Sequence, residues 1–235
     1  MEILWLGLAA FVGSTLTGIM GVGGGVLILV IMAQFVPPSV LIPLHALVML
    51  YSNLNRVVIQ RRHIRWGYVW PFLAAGVIAI ALVSHWVNSV PVDLGQLLLG
   101  GFVLIATWRP NWFQVGQWPA SLSGGITGAL SMFLGAMGPM VMAVLPRATW
   151  SRHEIIATHG MVMGLQYGVK AIAFAWIGFE WIAYLPGLVA MCLAATLGNL
   201  VGARLLGRVS EQHFKFVLDA LLTVLALRLV VQFFA

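Results

Sequence analysis

The sequence predicts an all-α polytopic membrane protein made of two inverted five-segment repeats, and three observations predict it. Hydrophobic residues fill 61% of the 235 positions and charged ones only 8%, with a mean hydropathy of +1.01; soluble chains carry roughly 25% charged residues. Apolar runs follow one another along the whole chain, several reaching the ~20 residues that cross a bilayer. A polar linker at residues 109–118 divides the runs five and five, leaving repeats at 1–108 and 119–235. The single Cys192 excludes an internal disulfide and a cysteine metal cluster. In such a chain the net charge of +6 points to cytoplasmic loops rather than to nucleic acid.

The first run, residues 3–20, follows Met1-Glu2 with no basic stretch, so it is expected to stay in the membrane rather than be cleaved. It ends in Gly18-Ile19-Met20-Gly21-Val22-Gly23-Gly24-Gly25, five glycines in eight positions. Glycine costs about 1 kcal/mol relative to alanine inside a helix, so the helix should break here. Within a bilayer such a break survives where it is packed in protein or lines a wet cavity. The second run, 24–36, and its counterpart 138–147 are short, and ten helical residues rise only about 15 Å. The first two segments of each half (3–36 and 119–147) therefore read as re-entrant or broken hairpins with tips at 21–25 and 135–139, although two full spans would have the same parity.

The third run, 40–60, places His45, Met49, Ser52, Asn53 and Arg56 on one helical face, and the eighth, 154–178, places His159, Met163, Gln166, Tyr167 and Lys170 at the same spacing. Sliding the second half by 114 positions sets Gly21 on Gly135, Gly24 on Gly138, His45 on His159 and Arg56 on Lys170; one residue more sets Trp66 on Trp181 and Pro71 on Pro186, pairing run 67–88 with 181–204. Runs 94–108 and 209–235 close the two halves. Five membrane-entering segments per half is an odd number, so the second repeat is inverted. Arg61, Arg62 and Arg65 mark the cytoplasmic side, which then also receives Arg109, Arg147, Arg152, Arg204 and Arg208 and leaves both termini outside.

These elements suit a small anion. Half-helices starting near Gly25 and Pro139 would aim their N-termini at the midplane, with Gly23, Gly24 and Gly138 beside them. Lys170 and Arg56 would supply charge, though Arg56 also lies near enough to the basic end to snorkel. Ser52, Asn53, Gln166 and Tyr167 would supply hydrogen bonds, and His45 and His159 either bond within the core or carry protons. Gly124/Gly128 and Gly198/Gly202 read as helix-packing pairs, and Ser151 with Glu154 as a capping box. No zinc-protease, phosphate-loop or nucleophile-elbow motif occurs, so no enzyme, metal or cofactor is expected. The expected partners are a small anionic substrate and the lipid bilayer, without nucleic acid, and a homodimer is compatible with the sequence. An anion channel and a non-transporting accessory subunit are the alternatives.

The glycine run at 18–25, the proline turn after it, the helix ending Asn55-Arg56 and the basic Gln60-Arg61-Arg62-His63 loop resemble the TauE/SafE sulfite exporter family, as does Gly135-Ala136-Met137-Gly138-Pro139 in the second half. The resemblance implies secondary transport of sulfite, organosulfonates or similar oxyanions across the bacterial inner membrane. Ala136-Met137 and His45 depart from the family pattern, which has small glycine and hydroxyl residues at these places.

Overall fold

What ends the first helix is a turn of the backbone and not a change of polarity. α1 (Glu2–Met20) stops where Gly21 and Gly23 take φ values of 83° and 101°, a region that glycine enters without the penalty of a Cβ. α2 (Gly24–Met32) then doubles back along α1. A Cβ on Gly24 would collide with Gly13 O and Thr17 Oγ1, and at the open end the Trp5 and Phe35 rings lie parallel with centroids 6.4 Å apart. The second half repeats the device: α6 (Ala120–Leu134) ends at Gly135, whose φ is 80°, and α7 (Gly138–Val144) follows. The half-helices are shorter than the runs that predicted them, nine and seven residues, because the chain turns after Met32 ahead of Pro37 and becomes extended at Leu145 ahead of Pro146. They rise about 14 and 10 Å, too little to cross a bilayer.

The computed structural model describes residues 2–109, 112, 118–146, 149–205 and 211–234. Most of the 109–118 linker, together with Arg147 and Arg208, lies outside them. The longer helices are α3 (Pro38–Gln60), α4 (Trp66–Ser84), α5 (Val92–Trp108), α8 (Arg152–Trp176), α9 (Leu185–Leu205) and α10 (Glu211–Phe234). Among the described residues all regular structure is helical. Three stretches, Ile3–Met20, Trp66–Ser84 and Ile182–Leu205, are long and apolar enough to cross a membrane by composition alone. α3 and α8 are as long but less apolar, because each carries a polar stripe. Exposed Trp70, Ile78, Leu82, Leu193, Leu197 and Val224 form an apolar outer surface on α4, α9 and α10, as lipid contact requires.

Helix pairing crosses between the halves. α1 packs mainly on α9, α6 on α4, α5 on α10, and α3 on α8 in the middle; exchanging the halves leaves this pattern unchanged. Small residues make the close approaches. A Cβ on Gly198 would strike Phe11 O, one on Gly202 would strike Thr15 O, and one on Gly124 would strike Phe72 O. In lipid, where burial of apolar surface gives no advantage, such backbone proximity is what holds helices together. α3 ends where α8 begins. There the Arg65 guanidinium pairs with Glu154, the Arg65 N–H donates to Thr158 Oγ1 at 3.0 Å, and the His63 and His153 rings lie 5.3 Å apart. Glu154 also completes the capping box with Ser151.

Candidate functional site

One face of α3 carries Ile42, His45, Met49, Asn53 and Arg56, and one face of α8 carries His159, Met163, Tyr167, Lys170 and Phe174. Because the two helices run in opposite senses, Lys170 sits toward one end of this axis and Arg56 toward the other. Arg56 does not snorkel. It is 6% exposed, its Nη1 donates to Thr17 O at 3.1 Å and Gly21 O at 3.0 Å, and its Nη2 donates to Asn53 Oδ1 at 3.0 Å. Lys170 is 0% exposed and its Nζ donates to Ser131 O at 3.2 Å and Gly135 O at 2.7 Å. The two sets of carbonyls are themselves 114 positions apart. Each cation thus closes the last turn of a broken helix, where the dipole is negative and the Thr17 and Ser131 carbonyls also accept the Gly21 and Gly135 N–H groups. Among the described residues no carboxylate pairs with either cation.

Between them the two glycine tips meet. A Cβ on Gly138 would lie 3.9 Å from Val22 Cγ2, and one on Gly135 would press on Leu29 of α2. The space left is a cavity of about 20 Å³ lined by Gly23, Gly25, Asn53, Gly138, Pro139, His159 and Tyr167 among others, enough for roughly one water molecule. The remaining site residues surround it without lining it. Gly24 is spent on the contact with α1. His45 donates from Nε2 to Gly25 O at 2.8 Å and meets the Tyr167 ring edge to face with centroids 5.6 Å apart. His159 donates from Nε2 to Gly138 O at 3.0 Å. A carbonyl can only accept, so Nε2 carries the proton in both rings; each histidine pins the first turn of a half-helix.

Ser52 and Gln166, the last of the predicted hydrogen-bonding residues, point sideways. Ser52 Oγ lies 3.0 Å from Ser14 Oγ and its carbonyl accepts from Asn199 Nδ2 at 3.0 Å; Gln166 Nε2 donates to Thr127 Oγ1 at 3.1 Å. These bonds tie α3 to α1 and α9, and α8 to α6. Thr17, Ser14, Thr127 and Asn199 are contributors that the sequence reading missed. Their only signal is a few small polar side chains inside largely apolar helices, such as Ser14, Thr15 and Thr17 of α1. The Arg65–Glu154 contact was also missed, since the capping box accounts for Glu154 locally.

A second cavity, of about 360 Å³, lies at the end of the molecule opposite Arg65 and Glu154. Its rim includes exposed Ser39, Pro91 and Gly178, and its floor includes buried Leu41, Met132 and Phe174. Phe174 is one helical turn from Lys170, and Met132 adjoins Ser131, whose carbonyl holds that amine. The axis therefore has an open vestibule at one end, a nearly filled centre, and an ion pair across the other end.

The family model described as "Sulfite exporter TauE/SafE" matches residues 6–229. Among curated proteins the chain is similar to the Comamonas testosteroni protein described as "Probable inner membrane transporter protein TsaS", at 28% identity over 183 residues, which cover 67% of this chain and 66% of the relative. The match spans just under two thirds of that relative's own length. No solved structure matches the chain.

Proposed function

Since the chain belongs to the TauE/SafE sulfite exporter family and is a membrane transporter, we propose that it carries small sulfur-containing oxyanions, such as sulfite or organosulfonates, outward across the bacterial inner membrane by alternating access. The observation that carries this reading is the pair of buried cations, Arg56 and Lys170, flanking the meeting point of two broken helices with no carboxylate partner among the described residues. Buried ionisable groups inside a membrane protein are costly and mark the path of a charged substrate. The site consists of Gly23, Gly25, Asn53, Gly138, Pro139, His159 and Tyr167 around the central cavity, with Gly24, His45, Ser52 and Gln166 holding its walls. The two halves form an inverted repeat, with Arg61, Arg62 and Arg65 facing the cytoplasm and both termini outside. A central space for about one water favours an occluded carrier over a continuous anion channel.

A thermal-shift screen of the purified protein against sulfite, sulfate, thiosulfate, taurine, sulfoacetate and simple carboxylates tests the substrate. Ligand binding to the folded state raises its apparent stability by mass action. The expected result is stabilisation by sulfur oxyanions that is lost in Lys170→Ala. Equal stabilisation by carboxylates, or none by any anion, overturns the assignment.

In this reading the vestibule faces outward and the Arg65–Glu154 pair, with the His63–His153 contact beside it, shuts the cytoplasmic end. Exposed ion pairs add little to stability, so Glu154→Gln should melt close to the wild type. Its effect should fall on conformation instead: a cysteine placed at Met163, with Cys192 replaced by serine, should react several-fold faster with a maleimide applied from the cytoplasmic face. Unchanged labelling would remove the pair from gating.

A further inference from the structure

The two buried cations stand at equivalent positions, yet one is a guanidinium and the other an amine. Arg56 presents its N–H groups to three acceptors, Thr17 O, Gly21 O and Asn53 Oδ1, and a guanidinium stays charged under any physiological condition. Lys170 has two acceptors, Ser131 O and Gly135 O. A neutral amine has two N–H groups and an ammonium has three. The cradle of two carbonyls therefore satisfies Lys170 in either protonation state, and the third N–H exists only when the proton is bound.

We propose that Lys170 is the proton-carrying residue of transport: its third N–H binds the anion, so one proton and one anion load together and leave together. This rests on the transporter reading above. On loading, a proton from water adds to the Nζ lone pair and the anion accepts the N–H so formed. On release through the vestibule the anion departs, that proton returns to water, and the amine keeps its two bonds to the α6 carbonyls. The position suits the exchange, because Lys170 stands between Phe174 on the vestibule floor and Tyr167 on the wall of the central cavity. The Tyr167 ring supports the charged form, with Nζ 4.7 Å from its centroid.

The titratable groups facing Lys170 are few. α8 offers Tyr167 and α3 offers His45, whose ring meets that of Tyr167 edge to face. α6 and α7 carry none in sequence, and on α4 only Tyr68 titrates, with its ring against Trp150 near the opposite end. Each histidine holds a half-helix carbonyl through Nε2, so any proton it took up would sit on Nδ1.

The test uses proteoliposomes and two probes, radiolabelled sulfite and isethionate, the latter a strong-acid anion with no neutral form to leak. Tracer exchange at equal pH needs no net proton movement; accumulation driven by an acid exterior does. Wild type should show both, and Lys170→Arg should lose at least nine tenths of the pH-driven accumulation, with whatever exchange it retains no longer responding to pH. Accumulation surviving in Lys170→Arg overturns the proton role and leaves transport intact; absence of any exchange in wild type overturns the transporter reading instead. A second measurement does not depend on the folding of that variant. Only two lysines occur, Lys170 and Lys215, so the side-chain NMR signals of lysine-labelled wild type resolve by comparison with Lys215→Arg. The Lys170 signal should move with pH and shift toward the ammonium form on addition of sulfite; a signal fixed in one protonation state with and without sulfite overturns the proposal.

Discussion

Gly24→Ala should abolish the folded transporter, seen as loss of the monodisperse size-exclusion peak and of all anion uptake. The added methyl group would enter the space of Gly13 O and Thr17 Oγ1 on α1. Overpacking in a close-packed interior costs about 1–3 kcal/mol and more where the neighbour is backbone that has no rotamer to change. Here the whole α1–α2 hairpin would have to open, which would pull Gly21 away from Arg56 and the tips away from each other. Gly25→Ala is the internal control. Its Cβ would lie 2.7 Å from Met49 Cε, the far end of a flexible side chain that can swing aside, so the protein should fold with only a modest loss of stability. A Gly24→Ala protein that folds and transports as wild type would show that the hairpin is not held by this contact.

Arg56→Met should be the most damaging change that spares the packing volume. It leaves Gly21 O and Asn53 Oδ1 without their donor, while Thr17 O keeps the Gly21 N–H at 2.9 Å, and a buried polar atom left unpaired costs about 1–3 kcal/mol. With two acceptors stranded, the apparent melting temperature should drop by roughly ten degrees and stabilisation by sulfite should vanish. Arg56→Lys retains the charge but not the forked geometry, since an ammonium is a point donor on a flexible stem; it should recover part of the stability. If Arg56→Met melts like wild type, the guanidinium is not closing α1, and if it still responds to sulfite, the guanidinium is not part of the anion site.

The polar faces of α3 and α8 were legible because helical periodicity is local: five residues at matching spacing in two places define the stripe whatever surrounds it. The breaks at Gly21 and Gly135 were legible for a similar reason, since clustered glycine marks backbone that leaves the helix. What Arg56 and Lys170 bond to was not legible. That depends on which carbonyls of α1 and α6 the hairpins bring alongside, a long-range fact, and the sequence alone supports snorkelling of Arg56 equally well. Glu154 shows the same divide within one side chain. Its cap on Ser151 follows from a four-residue pattern, while its contact with Arg65 needs the two halves to be assembled. Nor could the sequence state that Ser52 and Gln166 turn sideways, because the deciding partners, Asn199 and Thr127, lie on other helices.

The crossed pairing of α1 with α9 and α4 with α6 bears on how the protein is made. As the chain emerges from the ribosome, α1 enters the bilayer almost two hundred residues before its main packing surface, Gly198 and Gly202 of α9, has been synthesised. Until then its small-residue stripe faces lipid or the insertion machinery, and Arg56 waits beside a tip that has no opposing tip to meet. Each half is thus a template for the other and neither is an independent folding unit. Biogenesis is completed by the last helices rather than stepwise from the first, and a chain cut short before α9 is material for quality control.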